Sequence, residues 1–74
     1  MGDIVVSEQA QRDLARRRIP PEAIRIAFAN PIATVQSGDE FELCAGVGNL
    51  KLWIVYRKAG DDSLVTRVRA ERMK

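Results

Sequence analysis

The chain has 74 residues, of which 46% are hydrophobic and 30% charged, and its net charge is +2. This length accommodates one domain, and the composition is typical of a globular protein rather than a disordered one. With no histidine and a single cysteine, the chain forms no internal disulfide, and we expect neither a zinc site nor a cofactor. No apolar run approaches the roughly 18 residues of a membrane span, and residues 1–6 lack the layout of a signal peptide. We therefore expect a cytoplasmic protein without a membrane partner.

The first thirty residues predict a short strand followed by two helices. Residues 3–6 are rich in β-branched side chains, and Ser7 stands where a helix N-cap belongs, so we predict a helix over residues 8–18. The Pro20-Pro21 pair forbids a continuous helix, and a second helix is predicted over residues 21–30. Each helix carries apolar residues at helical spacing, which predicts that both pack against the same layer.

The rest of the chain predicts strands. Runs that alternate apolar and polar residues occupy residues 40–47, 50–57 and 63–70, and a further short strand can form at residues 33–36. Gly48-Asn49 between the first two runs is a hairpin signal. Residues 58–62 indicate a longer polar turn before the last strand.

These elements predict an α+β fold in the order β-α-α-β-β-β, with two helices packed on one face of a small antiparallel sheet. The residues predicted to form the core between the helices and the sheet are Phe41, Leu43, Leu52, Ile54, Tyr56, Leu64 and Val68, with Leu14, Ile24 and Phe28 from the helices. The other side of the sheet, the open face, is predicted to carry Glu42, Cys44, Lys51, Trp53, Val55, Arg57, Val65, Arg67 and Arg69. Because the helices leave this face uncovered, its side chains are the ones available to a partner.

The open face is the candidate binding surface because it combines cations with an indole. Its cations are predicted to lie on neighbouring strands, where they could converge on phosphate oxygens; they are Lys51, Arg57, Arg67 and Arg69. Trp53 between them could stack a splayed base, as single-stranded RNA is commonly held. Trp and Arg are equally typical of protein–protein hot spots, so a protein partner is an alternative of similar weight, and a plain solvated surface is the third.

Two further arginines are candidate RNA contacts. Arg12 and Arg16 are four residues apart in the predicted first helix and share one side of it. Like charges placed together are either tolerated in solvent or retained for an anion. Cys44, in contrast, lies within a strand with no partner at metal-ligand spacing, and we interpret it as a small packed thiol.

A series of short motifs runs along residues 4–70. They comprise Ala10, Arg17 and Ile19 around the first helix, a second helix over residues 24–28 that closes on Asn30-Pro31, a strand over residues 52–57, a Gly-Asp turn and a strand over residues 64–68. In this order the chain resembles the RelE/ParE-like superfamily of small bacterial toxins, and within it a branch of small domains of unknown function. Two departures are visible: Gln9 stands where that branch often has a histidine, and the C-terminal tyrosine or histidine of many of these nucleases has no counterpart.

The resemblance implies a two-helix-on-sheet toxin of a bacterial toxin–antitoxin type. For RelE-like members it implies ribosome-assisted mRNA cleavage by basic residues of the open face, here Lys51, Arg57 and Arg67 by position. ParE-like members instead block DNA gyrase and cleave nothing. Cleavage of RNA needs a proton acceptor for the 2′-hydroxyl and a stabiliser for the phosphorane, and a desolvated Lys51 would have to be the acceptor.

The leading hypothesis is a protein that binds RNA or the ribosome through its open face and acts as an mRNA endonuclease. A small antitoxin protein would be a second partner. The alternative hypothesis is a non-catalytic module that binds, and thereby inhibits or regulates, another protein. Salt separates the two, because binding led by phosphate contacts weakens steeply as the salt concentration rises.

Overall fold

A computed structural model describes residues 2–73 and shows two helices packed on one face of a five-stranded sheet. In chain order the elements are β1 (Ile4–Val6), α1 (Glu8–Arg17), α2 (Glu22–Ala29), β2 (Ala33–Ser37), β3 (Glu40–Val47), β4 (Leu50–Ala59) and β5 (Asp62–Arg72). The predicted α+β class and the order of elements are confirmed. The additional strand at residues 33–36 forms as β2.

The sheet has the strand order β1-β5-β4-β3-β2. Strands β2 to β5 form an antiparallel meander, whereas β1 pairs with β5 in parallel. The sheet is therefore mixed rather than purely antiparallel. This arrangement puts β4 at the centre, β1 at one edge and β2 at the other.

Each hairpin of the meander closes through a two-residue loop that begins with glycine, at residues 38–39, 48–49 and 60–61. Gly60 has a φ of 64°, in the left-handed region that glycine adopts without steric cost. The connection predicted as a longer turn over residues 58–62 is thus a tight hairpin, and β4 continues to Ala59.

The two helices end where the sequence predicts, to within one residue. The Ser7 side chain accepts a hydrogen bond from the Ala10 backbone N–H at 3.2 Å, which caps the start of α1. At the other end Arg18 has a φ of 56°, and its left-handed conformation turns the chain out of the helix. Pro20 and Pro21 then separate α1 from α2.

The core lies between the helices and the inner side of β3, β4 and β5. Leu52 and Ile54 of β4 are fully buried at its centre, beneath Leu14 of α1 and Ile24 of α2. At one end an aromatic cluster joins the layers, because the Tyr56 ring lies 4.9 Å from that of Phe28 and 5.2 Å from that of Phe41, measured between centroids.

A β-bulge in β5 changes which side chains face the core. Val55 pairs with Arg67 and Tyr56 pairs with Val65, so Thr66 has no partner of its own in β4. An extra residue reverses the direction of every side chain beyond it. Val65 is accordingly fully buried, whereas Leu64 is only half-buried and lies outside the core cluster. The prediction that placed Leu64 in the core and Val65 on the open face is wrong for this reason.

Neither α1 nor α2 has the length and apolar character needed to cross a membrane, and the same holds throughout residues 2–73.

Candidate functional site

The strand register aligns the open face in rows that run across the sheet. One row contains Val35, Glu42, Val55 and Arg67, from β2 to β5. The next contains Ala33, Cys44, Trp53 and Arg69. Arg67 and Arg69 therefore stand side by side on β5, with Val55 and Trp53 directly opposite them on β4.

A groove of about 410 Å³ lies where α1 borders this part of the open face. We call it the arginine groove; it is lined by Asp13, Arg16, Arg17, Glu40, Glu42, Trp53, Val55, Arg67, Val68 and Arg69. Four arginines face three carboxylates, so the groove is of mixed charge with a small positive excess. The arginines come from α1 and β5, whereas Glu40 and Glu42 come from β3 on the opposite side.

Asp13 joins α1 to the sheet at the bottom of the arginine groove. Only 7% of this residue is exposed, and its Oδ2 accepts a hydrogen bond from the backbone N–H of Val68 at 3.1 Å. Gln9 donates to Oδ1 at 3.3 Å. Arg67 Nε lies 3.9 Å from Oδ2, so its guanidinium stands beside the buried carboxylate while the arginine side chain stays largely exposed.

Trp53 lies between two cations in the middle of the open face. The Lys51 ammonium is 5.3 Å from the centroid of its ring, and the Arg69 guanidinium carbon is 5.0 Å from it. Both distances are within the range of cation–π attraction. The half-buried indole is therefore held in one orientation, with charged groups beside its ring.

The structure brings together some of the residues predicted to bind RNA and separates others. Trp53, Arg67, Arg69 and Arg16 all line the arginine groove. Lys51 does not line it and lies at the far side of the indole.

Two of the predicted cations lie elsewhere. Arg57 lines a different hollow, with Lys58, near the hairpin that joins β2 to β3. Arg12 forms an ion pair with Glu8 at 3.0 Å on the exposed side of α1 and is not among the groove residues. Lys51, Arg57 and Arg67 consequently do not form one cluster.

Four charged residues of the arginine groove were not among the predicted site residues: Asp13, Arg17, Glu40 and Glu42. Asp13 carries a recognisable signal, because it follows Ala10 by three residues and is an acid on the apolar side of α1. The alternation of β3 predicts that Glu42 lies on the open face. The predicted binding residues of that face were its cations and Trp53, so Glu42 was not among them. Arg17 could not be assigned, because the position of α1 relative to the sheet is a tertiary property.

Within residues 2–73, no three Cys, Asp or Glu side chains come together in a way that could hold a metal ion. Cys44 is half-buried opposite Trp53.

The chain matches no protein-family model, no curated protein and no solved structure. Its resemblance to the RelE/ParE-like superfamily stays a prediction.

Proposed function

We propose that the protein binds single-stranded RNA in the arginine groove, as a RelE/ParE-like toxin-fold protein of a bacterial cytoplasm. The observation that carries this proposal is that Arg16 and Arg17 from α1 line the same groove as Arg67 and Arg69 from β5, together with Trp53. These arginines belong to two elements far apart in the sequence, and the fold places them along a single groove.

Phosphate and base contacts would be divided between the two kinds of side chain. Guanidinium groups bind phosphate oxygens through two parallel N–H donors, so the arginines suit an RNA backbone. Trp53 offers a π-face for a splayed base when the Arg69 guanidinium moves from the ring to a phosphate oxygen. Since only unpaired bases can splay out onto a side chain, such contacts hold single strands more readily than duplexes.

The resemblance to RelE-like toxins extends the proposal to ribosome-dependent mRNA cleavage. Arg67 is the candidate stabiliser of the phosphorane, because its guanidinium stands at the groove beside Asp13 and is largely exposed. Lys51 remains the predicted proton acceptor, although it lies beside Trp53 and outside the groove. A small antitoxin protein would be the natural partner of such an activity.

The binding proposal is tested by titrating a fluorescently labelled, single-stranded RNA at several salt concentrations and measuring its anisotropy. Replacing Arg69 by alanine should weaken binding and reduce the slope of log affinity against log salt by about 0.7, the value for one phosphate contact on a single strand. Arg25→Ala is the matched control, because it removes an equal charge from the exposed side of α2, away from the groove. Its slope should be that of the parent protein.

Two results would contradict the proposal. One is the absence of RNA binding at low salt; the other is an equal loss of affinity in Arg69→Ala and Arg25→Ala. Cleavage has a separate test, since expression of an active toxin should arrest bacterial growth and Arg67→Ala should relieve the arrest. RNA binding without growth arrest would remove the nuclease and leave the binding function.

A second candidate function, a protein-binding module, is favoured by the edge strand β2. All five residues of this strand are exposed, and its apolar residue Val35 is 63% exposed. Ile32, the residue directly before the strand, is apolar as well and 68% exposed. Edge strands of this kind accept another strand through their backbone groups. Such binding would be insensitive to salt and to Arg69→Ala, which distinguishes it from binding in the arginine groove.

A further inference from the structure

Glu42 is an exposed carboxylate that lines the arginine groove and, among the residues described, forms no ion pair with it. Its register partners on the two neighbouring strands are Val35 and Val55, neither of which can pair with a charge. The ion pairs found within residues 2–73 join Arg12 to Glu8 and Arg67 to Asp13, so Glu42 has no partner of this kind. Glu40, in contrast, stands opposite Arg57 in the register.

The position of Glu42 relates it to the arginines across the groove. Glu42 on β3 and Arg67 on β5 belong to the same row and are separated by Val55 on β4. Two strand spacings place their backbones about 10 Å apart, on opposite sides of the groove. The groove volume of about 410 Å³ is within the range of small-ligand sites. A nucleotide held at its phosphate by the arginines of α1 and β5 can therefore extend its base toward β3, where Glu42 lines the groove.

The chemistry of a carboxylate then selects among the bases. An ionised carboxylate only accepts hydrogen bonds, through two oxygens side by side. Guanine presents two adjacent N–H donors on its Watson–Crick edge, at N1 and N2, and so matches both oxygens. Adenine and cytosine each present a donor next to a ring nitrogen that accepts, and uracil presents one donor between two carbonyl oxygens. In these three bases at least one acceptor would face the carboxylate and repel it.

We propose that Glu42 makes the arginine groove selective for guanine in single-stranded RNA. This inference rests on the proposed RNA-binding function and adds a base preference to it. Phosphate contacts from the arginines supply affinity without sequence information, whereas the contact with Glu42 supplies the discrimination. Val55, the residue between them, provides an apolar floor on which the base lies.

The test uses four labelled uridine heptamers that differ only in the central base, which is G, A, C or U. For the parent protein the G heptamer should bind more tightly than the other three, by about 5- to 150-fold if the bidentate contact forms. In Glu42→Gln the preference for G should disappear, because the amide presents one acceptor and one donor. That pattern can pair with the Watson–Crick edge of each of the four bases, so the affinities for the four heptamers should become similar.

Glu71→Gln is the matched control. Glu71 is also on the open face, opposite Lys51, and its replacement makes the same change of charge outside the arginine groove. The lost negative charge should strengthen binding of every heptamer by a similar factor in both variants, and Glu42→Gln in addition loses the contact with G, so the ratio between heptamers is the quantity that reports selectivity. Glu71→Gln should keep the parent ratio.

The outcomes separate this inference from the function on which it rests. Equal binding of the four heptamers, or a preference for G that survives Glu42→Gln, would overturn the base preference and leave RNA binding standing. A loss of preference in Glu71→Gln as well would show that charge, rather than the bidentate contact, is responsible and would also overturn it. Failure of every heptamer to bind at low salt would reject RNA binding and the base preference together.

Discussion

Among single residues, Asp13 best shows how one side chain serves both the fold and the arginine groove. Strand β1 ends at Val6, and its pairing with β5 ends at Val65. The Ser7 N–H donates to the Val65 carbonyl at 2.9 Å, and beyond that point the carboxylate of Asp13 accepts the hydrogen bond from Val68. The first helix thus takes over from the first strand as the hydrogen-bonding neighbour of β5.

Replacing Asp13 by alanine should destabilise the protein by about 1–3 kcal/mol, because it leaves the buried N–H of Val68 without an acceptor. Asp13→Asn keeps an oxygen at the same position and should cost clearly less. Urea denaturation of both variants provides the measurement. Equal losses in the two would mean that the charge near Arg67, rather than the hydrogen bond to Val68, is what Asp13 contributes.

At the scale of elements, α2 is held to the sheet by one side of its surface. Ala23, Ile24 and Ala27 are buried, and Phe28 packs against Tyr56 of β4. The adjacent Ile26 points outward and is 47% exposed. Two apolar residues of the same helix thus have opposite environments.

Phe28→Ala should lower the free energy of unfolding by about 3 kcal/mol. This value is at the lower end of the range for core phenylalanines, because Phe28 is only half-buried. Ile26→Ala is the control on the same helix and should change stability by less than about 0.5 kcal/mol. Thermal or urea unfolding followed by circular dichroism measures both. Similar effects of the two substitutions would show that α2 is rotated about its axis and packs on the sheet through a different side.

In the whole molecule, the central strand β4 of the sheet is well buried, whereas the edge strand β2 is exposed. Strand β4 pairs with β3 and β5 along most of its length, and its inward side chains Leu52 and Ile54 are fully buried. Strand β2 pairs with β3 alone, and all five of its residues are exposed. The stability of backbone hydrogen bonds should therefore fall from the centre of the sheet toward β2.

Native-state hydrogen exchange measures this gradient. Amides of β4 should exchange only through global unfolding, whereas those of β2 should exchange through local opening at much lower free energy. Protection of β2 equal to that of β4 in the isolated protein would contradict the exposed edge and indicate that a second copy pairs with it.

The sequence by itself determined most of what depends on neighbours along the chain. The alternation over residues 40–47 and 50–57 identified two strands and the side of each that faces the core, because the pleat gives side chains a period of two. Pro20-Pro21 separated the helices, and glycine marked the turns. The same patterns placed Trp53, Arg67 and Arg69 on the open face, so part of the candidate site could be predicted.

Only the tertiary structure decided how these elements meet. The bulge at Thr66 moved Val65 into the core, since the register of β5 is fixed by packing against β4 and α1 and not by the local pattern. The parallel pairing of β1 with β5 and the position of α1 beside it brought Arg16, Arg17 and Asp13 to the groove. Contacts of this kind join residues more than fifty positions apart, as Asp13 and Val68 are. Their free energy depends on the packing of the whole domain, which no short window of sequence contains.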